Sequence, residues 1–325
     1  MTTRRAFLGH AVAGALGTVA LGAAKSDTGV ETLEIIDCHT HFYDPTRPQG
    51  VPWPGKGTPL YRTVLPDDLK RLPKPKPVTG TVIVEASKWV EDNQWLLDLA
   101  KDDPFIVGIV GHLTPGEPAF KDHLARFGKN DLYRGIRVRD KQVLELLEKD
   151  DLADLKRMAD ADLSLDVNGG PTGPYAVARL AERLPSLRIV INHIANVPIT
   201  AEAPPSEWAE GLRKASKGPN VFCKVSALVE GASRGGRTAP RELAFYKPYL
   251  DVVWDAFGEN RLIYGSNWPV SDRGAEYHVL EQLVLDDVAE RGSEVAPKFF
   301  SQNAIRAYKW VERPGRSEAI VPKSA

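Results

Sequence analysis

Two cysteines, Cys38 and Cys223, are all that 325 residues contain. That is too few for a disulfide framework and excludes a small secreted domain stapled by cross-links. Neither charge is in excess: 42 Lys and Arg stand against 43 Asp and Glu, a net charge of −1. With no basic surplus for nucleic acid and no acidic tail, the expected partner is a small molecule. Beyond residue 24 no apolar run approaches membrane-spanning length. A glycine-rich phosphate turn after the first predicted strand, which a dinucleotide-binding open sheet would need, is also missing; His39-Thr40-His41 stands there. What is present is ordinary globular material, 42% hydrophobic and 26% charged, with 27 Gly and 25 Pro. It suffices for a large core.

The N-terminus reads as an address. Thr3-Arg4-Arg5-Ala6-Phe7-Leu8 is followed by an apolar stretch over 11–24, with small residues at Gly22 and Ala24, and closed by Lys25-Ser26-Asp27. A basic start, an apolar middle and small residues describe an export signal. The Arg4-Arg5 pair resembles the bacterial twin-arginine type. The expectation is a signal over 1–24, a mature chain over 25–325, and a periplasmic or secreted location with no membrane attachment after signal removal.

From Glu31 onward short β-branched runs alternate with amphipathic stretches. Strands are predicted at Thr32–His41, Thr79–Ser87, Phe105–Leu113, Tyr133–Arg139, Leu163–Asn168, Leu187–His193, Asn220–Ser226 and Arg261–Asn267. Helices are predicted at Asp92–Lys101, Lys141–Ala161, Pro174–Arg183, Pro240–Phe257 and Glu276–Arg291. Eight strand–helix cycles predict an α/β fold, a single-domain (β/α)8 TIM barrel.

Alternate strand residues face the barrel interior. That rule puts Asp37, His39 and His41 on one face and Cys38 on the other, toward the helices. Polar groups close each strand: Glu85, His112, Arg137 with Arg139, Asp166 with Asn168, His193, Lys224 with Ser226, and Asn267. Buried polar groups are costly unless paired. Their collection at the carboxyl rim points to a site there.

His39 and His41, about 7 Å apart along a strand, can reach one metal ion or one polarised carbonyl oxygen. His193 from another strand makes three imidazoles, a set that suits zinc with an open position for water. His112 is a further pocket candidate at its strand end, whereas His123 and His278 fall on helical surfaces. Arg137 and Arg139 could grip a carboxylate or an oxyanion, or pair internally with Glu85 or Asp166. Lys224 is either an electrophile beside the substrate or the partner of a buried acid. Residues 42–77 hold nine prolines together with Trp53 and Tyr61, a stiffened loop after the first strand that reads as a water-excluding lid. Arg234-Gly235-Gly236-Arg237 reads either as a loop closing on an anion or as a solvated connection.

Five segments carry a resemblance: Ile36-Asp37-Cys38-His39-Thr40-His41-Phe42-Tyr43-Asp44-Pro45, Ile191-Asn192-His193-Ile194, Asn220 to Ser226, Tyr264-Gly265-Ser266-Asn267-Trp268-Pro269-Val270, and Asn303-Ala304 with Tyr308. In this order the chain resembles the amidohydrolase superfamily, and within it the lactonase-like branch of amidohydrolase family 2. Members are (β/α)8 barrels that open lactones of sugar acids or of aromatic breakdown products. The resemblance gives His39, His41 and His193 the metal or carbonyl-polarising positions. It implies one divalent metal, zinc or manganese, or none. The family carries Asp where this chain has Asn267; that Asp binds the metal and takes a proton from water. Asn cannot be a general base. The expected function is an exported hydrolase, a lactonase, with catalytic His39, His41, His193 and Asn267. Glu85, His112, Arg137, Arg139 and Lys224 are assigned to substrate, and the missing base to Glu85, His193 or Asp272. The alternatives are a non-catalytic or weakly active sugar-acid binder, and a decarboxylase or amidase.

Overall fold

The computed structural model describes residues 33–234 and 238–322. The predicted export signal and Arg4-Arg5 lie outside the described residues, as do residues 235–237. Eight parallel strands lie side by side in chain order: β1 (Ile36–Thr40), β2 (Gly80–Val84), β3 (Ile106–Gly111), β4 (Tyr133–Arg139), β5 (Ser164–Asn168), β6 (Arg188–Ile191), β7 (Val221–Val225) and β8 (Leu262–Tyr264). A bridge from Thr40 to Trp268 joins the last strand to the first. There the His41 amide donates to the Trp268 carbonyl at 2.9 Å, and the Asn267 amide to the His39 carbonyl at 2.7 Å. Gly265 sits at this seam because a Cβ there would lie 2.8 Å from the His39 Cβ. The fold is a single-domain (β/α)8 TIM barrel.

The helices are α1 (Pro66–Arg71), α2 (Asp92–Lys101), α3 (Phe120–Gly128), α4 (Asp140–Glu148), α5 (Ala153–Asp160), α6 (Gly173–Arg183), α7 (Ser206–Ala215), α8 (Leu228–Ala232), α9 (Leu243–Phe257), α10 (Tyr277–Arg291), α11 (Val295–Pro297) and α12 (Asn303–Tyr308). The predicted helix over Lys141–Ala161 is therefore two helices, separated where Asp150 takes a positive φ of 53°.

Two apolar layers follow from the strand alternation. The outer layer joins Ile83, Ile109, Ile136, Leu165 and Ile189 to the helices. The inner one packs Ile36, Val82, Val84, Val107, Val110, Val190, Phe222 and Ile263 against Ala304, Ala307, Tyr308 and Trp310, so α12 and the residues after it plug the barrel floor. Asn303 fastens this plug by donating to the carbonyls of Glu259 and Leu262, both at 2.8 Å.

β1 departs from strict alternation. Asp37 pairs with Thr81 but Thr40 with Ile83, so β1 spends one residue more than β2 over the same span. Such an extra residue re-aims side chains. Cys38 joins the inner layer with Ile36. Asp37 turns outward, accepting from the Ser266 amide at 2.8 Å and the Tyr277 hydroxyl of α10 at 3.0 Å. The predicted faces of Asp37 and Cys38 are thus reversed, while the histidines still converge.

Candidate active site

Above the apolar floor, Lys224 and Asp166 form an ion pair at 2.7 Å with both side chains 0% exposed. The Tyr308 hydroxyl donates to Asp166 at 2.9 Å, and Asn192 Nδ2 donates at 2.8 Å. Burial pulls the Lys224 pKa down and Asp166 pulls it back up. The ammonium has a second acceptor, His39 Nδ1, at 3.2 Å. An imidazole that accepts at Nδ1 carries its proton on Nε2. His39 Nε2 is buried and has no partner. Lys224 thereby turns His39 into an unsatisfied N–H donor below the barrel mouth.

His41 and His193 stand beside it, with ring centroids 5.0 and 4.2 Å from that of His39. His41 Nδ1 donates to the Val84 carbonyl at 2.9 Å, while Nε2 lies 3.1 Å from Asn267 Oδ1. Asn267 Nδ2 donates to Glu230 Oε1 at 2.6 Å. His193 Nδ1 shares a hydrogen bond with Ser226 Oγ at 2.9 Å. Burial, reinforced by the Lys224 charge, holds His39 well below the usual imidazole range. Burial and Arg137 bring His41 down to about 3 and His193 well below the ordinary value. All three are neutral at physiological pH. Burial raises the Glu230 carboxyl to about 7.

The turns that deliver these groups are strained. β6 ends at Ile191, short of the predicted His193, and His193, Ile194, Ala195 and Asn196 run at φ of 58°, 45°, 59° and 48°. Left-handed backbone costs roughly 1–2 kcal/mol per non-glycine residue. Trp208 of α7 holds the run by donating from Nε1 to the Ile194 carbonyl at 2.8 Å. Asn196 Nδ2 adds bonds to Asn168 Oδ1 and the Gly169 carbonyl, each 2.8 Å. Ala227 after β7 (φ 54°) and Asn267 after β8 (φ 61°) have the same sign. Strain of this kind gathers at functional sites.

A cavity of about 830 Å³ opens above the imidazoles. His41, His193, Asn267, Glu230, Trp53, Arg137 and Arg139 help to line it. Among the described residues its wall contains five cationic side chains, those of Lys88, Arg137, Arg139, Arg234 and Arg273, and one carboxylate, Glu230. The proline-rich loop is pinned by reciprocal backbone bonds between Tyr43 and Val64 of 3.0 and 2.9 Å, and it places Pro52 and Trp53 in the wall. Arg234 Nη2 donates to the Asn196 carbonyl at 2.7 Å.

Of the predicted substrate groups, Arg137 is both a wall residue and the ion partner of Glu85 at 2.8 Å. Arg139 is exposed in the wall, whereas Lys224 is sealed beneath it. His112 is not part of the wall, because its amide is tied to Asn93 Oδ1 of α2 at 2.9 Å behind β3. Asp272 is also outside it, 3.5 Å from Arg62 on an exposed turn. Glu230 escapes the motif pattern, since it lies five residues beyond the end of β7; its place in the first turn of α8 is the signal that points to it.

The three histidines do not fit a metal ion as arranged. His39 presents a proton rather than a lone pair, and the Lys224 ammonium stands on its other nitrogen. Among the described residues no group of three or more His, Cys, Asp or Glu is placed to hold one. The arrangement instead places a fixed donor just beneath the cavity wall, behind the neutral imidazoles of His41 and His193, with a carboxylate and cations in the wall itself.

Known proteins share this architecture. Residues 36–310 match the family model described as amidohydrolase. An L-fucono-1,5-lactonase of Burkholderia ambifaria is 32% identical over 294 residues, 86% of this chain and 96% of that protein. Two crystal structures of an amidohydrolase from Burkholderia multivorans are similar, one with bound HEPES (TM-score 0.76, 27% identity) and one with bound zinc (TM-score 0.75, 26% identity). Each covers 85% of this chain and 99% of its own.

Proposed function

This chain belongs to the amidohydrolase family, and from that premise we propose that it is a hydrolase opening a lactone, with a sugar-acid lactone as substrate. The observation that carries this reading is the buried, unpartnered His39 Nε2, whose proton is fixed by Lys224 at 3.2 Å. His39 is not itself a wall residue and lies behind His41 and His193, so the lactone carbonyl oxygen must pass between these two rings; seated on that donor it is polarised in the ground state and stabilised as the oxyanion when water adds. The ring C–O bond then breaks, and the alkoxide takes up the proton that the water gave. Similarity to an L-fucono-1,5-lactonase supports a sugar-acid lactone. Arg139 and Lys88, which make no ion pair among the described residues, suit ring hydroxyls or a carboxylate of the substrate. Proton release on a panel of sugar-acid lactones tests the reading, with His39→Ala as control. Turnover by the wild type and its loss in the variant are expected; equal rates in both would refute it.

We infer in addition that the protein is exported by the twin-arginine route to the periplasm or beyond. Arg4-Arg5 and the apolar stretch 11–24 support this. Cell fractionation of the wild type and an Arg4→Lys/Arg5→Lys variant checks it, and equal cytoplasmic retention of both would contradict it.

A further inference from the structure

The base expected at the end of the eighth strand is absent, because Asn267 accepts no proton there. Three other groups come into question and each is disqualified. Glu85 is bound to Arg137 at 2.8 Å. Asp272 sits outside the cavity wall, 3.5 Å from Arg62. His193 is held far below the range in which an imidazole accepts a proton usefully at neutral pH.

Glu230 has what they lack. It lies in the wall of the same cavity as His41 and His193. One carboxylate oxygen, Oε1, is fixed by Asn267 Nδ2 at 2.6 Å. The other, Oε2, is buried and without a partner. A buried acceptor without a partner, on a side chain that lines a cavity, calls for a water molecule or a catalytic role. Here the two coincide.

We propose that Glu230 is the catalytic base of this enzyme, holding the attacking water on Oε2, and that Asn267 is its positioning residue. This rests on the lactonase reading above. The water oxygen bonds to the lactone carbonyl carbon while one of its protons passes to Glu230 Oε2. The carbonyl π electrons move to the oxygen on His39 Nε2–H. On collapse the ring C–O bond breaks, and Glu230 returns its proton to the departing alkoxide, leaving the open hydroxy acid. In this chain the acid comes from α8, which follows β7, and the amide from the turn after β8.

The charged or titratable side chains that face Glu230 among the described residues are Arg273 and Asp272 from the turn after β8 and Tyr246 of α9. Burial leaves the carboxyl near 7, so the base form, and with it kcat/KM, is expected to rise with pH through that value.

The test compares four proteins on a lactone that the wild type opens: wild type, Glu230→Gln, Asn267→Asp and the double variant. Glu230→Gln should lower kcat by about 10²–10⁴-fold with little change in KM, and should abolish the rise near pH 7. Asn267→Asp alone sets two carboxylates against each other and should not raise activity. In the Glu230→Gln background the same change restores one amide facing one carboxylate, and activity should return in part with a shifted pH limb. This recovery also excludes misfolding as the cause of the first loss. Glu230→Gln working at the wild-type rate would overturn the role of Glu230 while leaving the lactonase reading intact. A wild type inactive on every lactone would overturn both.

Discussion

Lys224 brings a full charge into the barrel, and it is tolerated there because every interaction around it is specified. Asp166 neutralises it, Tyr308 and Asn192 occupy the remaining carboxylate lone pairs, and His39 Nδ1 takes another ammonium proton. Breaking a buried pair by removing one partner costs about 3–5 kcal/mol, because the other charge is left unpaired. Lys224→Met is expected to lose that much in a denaturant titration, by stranding Asp166. It should also release the His39 tautomer, so an imidazole 15N spectrum of the variant should show Nε2 no longer uniformly protonated. The His-x-His pair and the strand-end Lys were legible from spacing and residue type. The meaning of Lys224 was not, since a one-dimensional pattern cannot distinguish a group facing substrate from one that sets another group's proton.

At the scale of elements, the strand repeat is a good guide until the backbone inserts or bends. Helix α2 falls at the predicted Asp92–Lys101 because its apolar face is clean, and β4 at Tyr133–Arg139 because alternation continues to its last residue. α3 and α7 are no less amphipathic and lie outside the predicted helices. β1 broke the rule through one extra residue, which exchanged Asp37 and Cys38 between faces. His193 reaches the site on a left-handed run that no periodicity reports, because Ile194 and Ala195 at its centre have side chains that ordinarily avoid positive φ. What holds the run is the Trp208 indole, 14 positions along the chain from Ile194. Trp208→Phe keeps most of the buried ring and removes only that hydrogen bond. It should lower stability by about 1 kcal/mol, measured by the unfolding midpoint. Because the turn that carries His193 then loosens, kcat should fall as well, although Trp208 does not line the cavity. Unchanged kcat would show that the turn needs no such support.

The whole molecule separates its burdens by depth and by side. The floor is apolar and plugged by the C-terminal segment, the middle is the Lys224–Asp166 pair, and the mouth carries imidazoles under a cationic rim. A further buried acid lies outside the barrel. Glu281 of α10 is 0% exposed, with neither carboxylate oxygen partnered by a side chain, and burial raises its pKa from 4.5 to about 8 against the pull of Lys74. Between those two values the folded chain keeps a proton that the unfolded chain releases, so this group makes stability decline as pH rises through the interval. Glu281→Gln removes that dependence. The stability of the variant relative to the wild type should grow from pH 4.5 to about 8 and stay constant above, as read from urea unfolding at a series of pH values. A difference that does not vary with pH would place the Glu281 carboxyl in water.

The central claim is that the barrel mouth polarises its substrate with the proton on His39 rather than with a metal. It is tested most directly by lactone opening after exhaustive chelation, in wild type and in His39→Ala side by side. The account predicts a wild-type rate unaffected by chelation and a loss of about 10²–10³-fold in the variant, the usual cost of removing one oxyanion donor. A wild-type rate that collapses on chelation and returns with zinc or manganese would contradict it.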